Sequence, residues 1–319
     1  MSSRRIVLVA GSGRSGTSTV VGLLRLLGVR VPQPEVVADA SNPKGFGEPQ
    51  WVVDFHDELL EEGLVQVADS RPVAWELAAR VAAAPAVLER AAEWLEQQFA
   101  VADELVVKDP RLTWFNELWL RAAAKAGAEP VFITMLRPPP EVVRSRQANY
   151  NGRMADAFGV AQWVNLMIGT ERATRGHTRA FVAYADLIAG WQAALLPLAE
   201  HLGVEALRNP GPEALAEGDA FVDPSLRRMQ PGWDDLAVPA DLRALAEDLW
   251  RELEALAIPG RDDAEAHARL DAIAARHADL FAGAESVVRS SIVAARRKGE
   301  RAVRATAAAP ARRRWFNRG

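Results

Sequence analysis

The glycine-rich stretch near the amino terminus constrains the fold more than any other part of the sequence. It reads VLVAGSGRSGTSTVVGLLRLLG over residues 7–28, and the apolar run Ile6 to Ala10 has the length of a buried strand. Thr17 to Leu27 repeats apolar residues at helical spacing. Three glycines lie between strand and helix: Gly11, Gly13 and Gly16. Because glycine accepts positive φ angles and a helix amino terminus attracts negative charge, this arrangement predicts an anion site.

The loop matches a nucleotide-binding pattern at every position except one. GSGRSGTS, residues 11–18, fits G-x-x-x-x-G-K-[ST], but Thr17 occupies the lysine position. A nucleotide kinase uses that lysine on the β and γ phosphates, together with an acidic residue that holds a metal ion. Asp109 follows the apolar segment LVVK and suits the acidic role, whereas Thr17 carries no charge. A small-molecule kinase is therefore one alternative.

The same glycines also fit the dinucleotide pattern G-x-G-x-x-G. That interpretation requires an acidic residue about 20 positions further on, at the end of a second strand. Glu35 lies at a suitable distance, but its surroundings, VPQPEVV, contain two prolines and make a poor central strand. The dinucleotide interpretation is therefore the weaker one.

Short apolar runs alternate with helical patterns along the rest of the chain, which is typical of a parallel sheet covered by helices. Strands are predicted at Ile6 to Ala10, Leu105 to Lys108, Val131 to Leu136 and Ala180 to Ala183. Helices are predicted at Thr17 to Leu27, Trp51 to Leu60, Ala74 to Ala100, Phe115 to Ala126, Pro139 to Ala148, Val160 to Thr174, Leu187 to Leu202 and Leu242 to Leu256. Arg30 to Pro49 and Arg208 to Asp235 show no clear periodicity and are predicted as long loops. The fold class is α/β, a three-layer P-loop-like fold with a central parallel sheet flanked by helices.

Two segments more than a hundred residues apart carry a family resemblance. The loop RSGTS, starting at Arg14, resembles the 5′-phosphosulfate loop of sulfotransferases that use 3′-phosphoadenosine 5′-phosphosulfate (PAPS), in their carbohydrate and bacterial branch. RPPPEVVRS, from Arg137 to Ser145, resembles the 3′-phosphate element of that family. The segments SNPKGFGEPQWVVDFHDELL, KDPRLTWF, FVAYADL and FVDPSLRR are similar to family segments in the same order, so the resemblance covers about residues 5–230.

The resemblance implies an enzyme that moves a sulfuryl group from PAPS to a hydroxyl of a carbohydrate, glycolipid or small metabolite, with no metal ion. The residues it places on PAPS are Gly13, Arg14, Ser15, Gly16, Thr17, Ser18, Arg137, Ser145, Arg227 and Arg228. It implies a catalytic role for Arg14 and for a base, either Glu48 or His56. Lys108, Asp109 and Arg111 follow a predicted strand at the same sheet edge as the glycine loop, where ligand contacts or structural ion pairs are expected.

Composition adds bounds on compartment and organisation. The 319 residues contain no cysteine, no run of about 18 apolar residues and no recognisable signal segment, so we expect a cytoplasmic protein, and the excess of arginine over lysine suggests a bacterial one. Net charge is −4, yet residues 286–319 hold ten Lys or Arg against one Glu. We therefore predict two parts, a domain over 1–285 and a basic tail over 286–319.

The tail has the pattern of a basic amphipathic helix. Apolar and small residues recur every three or four positions: Val288, Ile292, Ala295, Gly299 and Ala302. Such a helix suits anionic lipid headgroups, and a solvated or partly disordered tail is the alternative. No nucleic-acid recognition motif accompanies it. A non-catalytic nucleotide-binding or membrane-binding protein is thus the third functional class, and the sequence leaves the oligomeric state open.

Overall fold

Four parallel strands form one sheet in the part of the chain that the structure describes. The structure is a computed structural model, and it describes residues 4–40, 42–150, 152–223 and 230–308. The strands are β1 (Arg4–Gly11), β2 (Glu104–Lys108), β3 (Ala128–Leu136) and β4 (Arg179–Ala183). Their order is β2-β1-β3-β4, and every neighbouring pair is parallel. The four strands predicted from sequence are therefore confirmed.

Helices fill most of the remaining described residues. They are α1 (Thr17–Leu26), α2 (Gln50–Gly63), α3 (Ala74–Ala82), α4 (Pro85–Phe99), α5 (Asn116–Lys125), α6 (Pro139–Asn149), α7 (Asp156–Thr174), α8 (Tyr184–Leu195), α9 (Leu198–Leu202), α10 (Pro212–Phe221), α11 (Ala240–Ala255) and α12 (Ala264–Ala308). Short 3-10 helices occur at Leu112–Phe115, Glu205–Leu207 and Trp233–Asp235. None of the helices in these described ranges combines the length and apolar content that crossing a bilayer requires.

The sheet is buried on both faces, which confirms the predicted three layers. In β1, Ile6 and Leu8 pack on one side with residues of α2, α3, α4 and α5. Val7 and Val9 pack on the other side with residues of α1, α8 and α9. Successive side chains of a strand point to opposite faces, so a strand covered on both sides must be apolar throughout.

Two helices predicted from sequence are each interrupted at a proline. The prediction over residues 74–100 covers α3 and α4, because Ala84 is extended (φ −62°, ψ 129°) and Pro85 begins the second helix. A residue before proline is disfavoured in helical conformation, and proline itself suits the first helical turn. The prediction over residues 187–202 likewise covers α8 and α9, with Pro197 between them.

One helix lies where no helix was predicted, and another begins earlier than predicted. Residues 208–235 were predicted as a loop but contain α10, whose apolar periodicity is weak because a single residue, Gly218, is buried in it. α10 is held instead by packing at its end, where Phe221 lies so close to α1 that a Cβ on Gly22 would be 2.3 Å from the Phe221 ring. α12 begins at Ala264, well before the predicted tail.

The chain divides into two compact units, Met1–His277 and Ala278–Gly319. The division predicted at residue 285 was drawn from charge rather than packing and stays a prediction. Within the first unit, the initial turns of α12 bury four apolar side chains: Ala266, Leu270, Ile273 and Ala274. His277 is buried on the same helix, and burial lowers its pKa from 6.5 to about 4.

The burial of His277 predicts a loss of stability in mild acid. As pH falls from 6.5 to about 4, the unfolded chain binds a proton at His277 before the folded chain does. The free energy of unfolding should fall over that window by about 3 kcal/mol on this account, with no contribution above pH 6.5. Urea unfolding of His277→Leu at a series of pH values should show a flatter profile, whereas the exposed-site control His177→Leu should keep it. An unchanged slope in His277→Leu would contradict the assignment.

Candidate functional site

The carboxyl ends of the four strands meet at one edge of the sheet. Register places Gly11 opposite Met135 and Val9 opposite Lys108, so the segments that follow β1, β2 and β3 emerge side by side. A cleft of about 900 Å³ opens there. Its lining includes residues from the glycine loop, the 36–48 segment, the end of β2, α6 and the start of α8. Parallel sheets commonly bind ligands at this edge.

The glycine loop has the backbone geometry that the sequence predicted for an anion site. Gly11, Arg14 and Gly16 have φ angles of 119°, 72° and 91°. A Cβ on Gly16 would lie 2.3 Å from the ring of Tyr184, so only glycine fits there. None of the described side chains caps α1, and Gly16 to Thr19 line the cleft. The positive end of the α1 dipole is therefore available to a ligand.

Hydrogen bonds join the two segments that carry the family resemblance. Arg14 donates from Nε to Ser145 Oγ at 3.1 Å and from Nη1 to the Tyr150 hydroxyl at 3.3 Å. Arg137 donates from Nη1 to the carbonyl oxygen of Arg14 at 2.9 Å. The structure thus brings Arg14, Arg137 and Ser145 together at one side of the cleft, although more than 120 residues separate the first from the others.

Arg137 is held on three sides. Its Nε donates to Glu141 Oε2 at 2.9 Å, and its guanidinium carbon lies 4.6 Å from the centre of the Tyr184 ring. The side chain is buried but still lines the cleft. Glu141 neutralises part of the charge of Arg137. Any positive potential at this side of the cleft therefore needs further cations.

Arg146 is a cation of this kind that sequence reasoning missed. It lines the cleft, and no hydrogen bond or ion pair joins its guanidinium to a described residue. Burial lowers the pKa of Arg146. A desolvated guanidinium of this kind gains most from an anionic ligand. Its position directly after Ser145 on α6 is the sequence signal that could have identified it.

Lys108 and Glu48 form a buried ion pair at the floor of the cleft. Lys108 donates from Nζ to Glu48 Oε1, and also to Ser18 Oγ and the carbonyl oxygen of Phe46, both at 3.2 Å. Burial raises the pKa of Glu48, and the charge of Lys108 opposes that rise. A carboxylate with a raised pKa inside a cleft is suited to accept a proton.

His56 lies in the core rather than in the cleft. The side chain is fully buried, and its Nε2 accepts a hydrogen bond from Trp119 Nε1 at 2.9 Å. Nδ1 therefore carries the proton and donates it to Asp109 Oδ2 at 2.6 Å. With both nitrogens engaged, His56 has no acceptor position for a substrate proton in this conformation.

Asp109 serves the same internal network. Its Oδ1 accepts a hydrogen bond from Arg111 Nη1 at 2.8 Å, and Arg111 also binds Asp57. Burial acts to raise the pKa of Asp109, but the bonds and charges of His56 and Arg111 outweigh it and hold that pKa below its usual range. Of the three residues predicted at the end of β2, Lys108 and Arg111 line the cleft, and Asp109 holds Arg111 in place.

The remaining predicted residues are divided by position. Gly13, Thr17 and Ser18 line the cleft, while Ser15 is fully buried behind the loop. Glu35 forms an ion pair with Arg25 at 3.2 Å and a backbone bridge with Pro49, outside the sheet, so the dinucleotide interpretation lacks its acidic residue. Arg227 and Arg228 lie outside the described residues.

The conformation of Gly16 predicts that alanine substitution will cost much more stability there than at Gly13 in the same loop. Gly16→Ala should lower the free energy of unfolding by about 2 kcal/mol or more, because it imposes a positive φ on alanine and a contact with Tyr184. Gly13→Ala should change stability little, since its Cβ would meet only Pro110, at 3.9 Å. Urea unfolding of both variants tests this. Equal stability of the two would show that the loop is not fixed as described.

Comparisons with known proteins identify structural neighbours only. No family model and no curated protein matches the chain. The sulfotransferase domain from the Synechococcus PCC 7002 olefin synthase is similar at 19% identity and a TM-score of 0.45, covering 78% of this chain and 94% of that one. The sulfotransferase domain from the curacin biosynthetic pathway is similar at 16% identity and a TM-score of 0.44, covering 79% and 98%. At that identity and TM-score, the similarity identifies no function for this chain.

Proposed function

We propose that this protein is a sulfotransferase that moves a sulfuryl group from PAPS to the hydroxyl of an acceptor. The observation that carries the proposal is that hydrogen bonds join the glycine loop to the segment from Arg137 to Ser145. Arg14 donates to Ser145, and Arg137 donates to the Arg14 carbonyl oxygen. A donor with one 5′-phosphate, one sulfuryl group and one 3′-phosphate needs two neighbouring anion sites. It does not need the loop lysine that Thr17 replaces.

The residues of the cleft fit such a donor. The backbone of the loop from Gly13 to Ser18 and the amino terminus of α1 would hold the 5′-phosphosulfate. Ser15 Oγ is buried with no hydrogen-bond partner among the described residues, so this part of the loop has unused bonding capacity. Arg137, Ser145 and Arg146 would hold the 3′-phosphate through charge-assisted hydrogen bonds.

The remaining side chains suit a direct transfer. PAPS would supply the sulfuryl group and leave as adenosine 3′,5′-bisphosphate. Glu48 accepts the proton of the acceptor hydroxyl while that oxygen bonds to sulfur, and the sulfur–oxygen bond to the 5′-phosphate breaks with its electron pair on the phosphate. Lys108 contacts both Glu48 and Ser18. Its charge stabilises the negative charge that develops on the bridging oxygen of the leaving 5′-phosphate. Acceptors in this proposal are hydroxyls of carbohydrates, glycolipids or small metabolites.

One observation favours a small-molecule kinase as the second candidate. Lys108 Nζ lies 3.2 Å from Ser18 Oγ, so a cation from β2 reaches the loop whose own lysine is missing. The acidic residue of that mechanism would be Asp109, but both of its carboxylate oxygens already accept hydrogen bonds, from His56 and Arg111. The geometry therefore supports the sulfotransferase better.

Ligand-induced stabilisation separates the two candidates. Adenosine 3′,5′-bisphosphate should raise the thermal midpoint as its concentration increases. The free energy of unfolding should rise by about 2.7 kcal/mol when the ligand is at a hundredfold excess over its Kd. ATP with magnesium should raise it much less, because the cleft is matched to a 3′-phosphate. Transfer of labelled sulfuryl from PAPS to an extract of glycans and lipids then tests turnover. Stabilisation by ATP and magnesium alone would favour the kinase.

Glu48 is tested by a substitution that keeps its shape. Glu48→Gln should lower kcat at least about a hundredfold, since a general base typically contributes that much, while the Kd for adenosine 3′,5′-bisphosphate changes little. The wild-type profile should lose activity as pH falls through the raised pKa of Glu48, and the variant should lack this step.

Two controls accompany that variant. Glu35→Gln makes the same change in the same segment, away from Lys108, and should keep wild-type turnover. The unfolding free energy of Glu48→Gln is measured in parallel, because removing the carboxylate leaves the buried Lys108 charge without its partner. Wild-type kcat in a folded Glu48→Gln variant would assign the base elsewhere.

A further inference from the structure

The second unit carries exposed apolar side chains. From Ala282 to Arg301 every residue of α12 is exposed. Val287, Val288 and Ile292 expose 85%, 46% and 46% of their surface. At about 100° per residue these three and Ala295 lie within an arc of roughly 140°, which we call the apolar stripe.

The opposite side of the same helix is basic. Arg289, Arg296, Arg297 and Arg301 fall outside the arc of the apolar stripe, and Lys298 lies within it, about 20° from one edge. All five side chains are exposed, with acidic neighbours at Glu285 and Glu300. The helix is therefore amphipathic, with positive charge around an uncovered apolar side.

The apolar periodicity of the stripe also occurs earlier in the sequence of α12. Earlier on α12 the residues at the equivalent helical positions are Ala266, Leu270, Ile273 and Ala274, and all of them are buried. In the sequence the same apolar periodicity therefore recurs, with buried members in the first unit and exposed members in the second. Valine and isoleucine left in water at that periodicity indicate a surface that is covered by something else.

We propose that this part of α12 lies on an anionic lipid bilayer, with the apolar stripe in the headgroup region and the arginines against lipid phosphates. Charge decides between occupants. Residues 286–319 hold ten Lys or Arg against one Glu, and the end of the sequence adds the aromatic pair Trp315 and Phe316. Basic residues beside interfacial aromatic and aliphatic ones are typical of helices that bind anionic membranes in the plane.

A second copy of the chain is the poorer occupant of the apolar stripe. Two copies of residues 286–308 would each bring six Lys or Arg against one Glu into one assembly, and like charges on paired helices repel. Nucleic acid would meet the arginines but would leave the apolar stripe in water. The membrane accounts for both sides of the helix, and this inference does not rest on the proposed enzymatic function.

Two valines provide a matched test in the full-length protein. Val288 lies in the apolar stripe, whereas Val293 lies on the opposite side, and they are similarly exposed at 46% and 41%. Val288→Asp and Val293→Asp make the same chemical change and remove the same net charge. The measurement is flotation with vesicles of phosphatidylcholine alone and with vesicles that also contain phosphatidylglycerol.

The wild-type chain should bind the anionic vesicles and not the neutral ones, with binding that falls as salt rises. Val288→Asp should lower the partition coefficient at least about tenfold more than Val293→Asp, because it removes a valine from the apolar contact. Circular dichroism and thermal midpoints of both variants, equal to wild type, confirm that the fold is retained.

Four outcomes would overturn the proposal. They are a wild-type chain that ignores anionic vesicles, equal binding to neutral vesicles, equal losses in the two variants, and a concentration-dependent dimer without lipid that Val288→Asp dissolves. The last would assign the apolar stripe to a second copy. Binding to nucleic acid that both variants retain, with no lipid binding, would assign the basic side to nucleic acid instead.

Discussion

The hydrogen bond from Arg137 Nη1 to the carbonyl oxygen of Arg14 is the contact on which the rest of the site depends. It exists because β1 and β3 are parallel neighbours in fixed register, with Gly11 opposite Met135. A Cβ on Gly11 would lie 2.6 Å from the Met135 carbonyl oxygen, so a glycine is needed for the strands to approach this closely. Strand pairing in the core thereby sets the distance between two cationic segments at the surface.

Lys108 and Asp109 are consecutive residues at the end of β2, and they bind different partners. Lys108 contacts Glu48 and Ser18, and the next residue, Asp109, binds His56 and Arg111. Each of the charges on Lys108, Glu48, Asp109 and Arg111 has an oppositely charged partner, as burial requires. The two groups of charges therefore have different roles. One pair lies in the cleft with a carboxylate of raised pKa, and the other holds the turn after β2 in place.

The sequence anticipated the strands, and the family resemblance implied that Arg14, Arg137 and Ser145 would meet. It could not choose between Glu48 and His56 as the base. Glu48 lies in an aperiodic segment whose path follows from contacts such as the hydrogen bond to Lys108, and His56 is enclosed by Asp109 and Trp119, which come from other elements. Arg146 was missed for a related reason, since its lack of a described partner is a property of its surroundings.

By itself the sequence determined the elements with strong local signals: apolar runs of strand length, the glycine loop, helices with clear periodicity and the charge of the tail. The tertiary structure alone decided which polar side chains are buried, which are paired, and where weakly periodic segments such as Pro212–Phe221 fold. The physical reason is range. Backbone preference and periodicity act over a few neighbouring residues, whereas desolvation and ion pairing depend on groups that only the assembled core brings within a few ångströms.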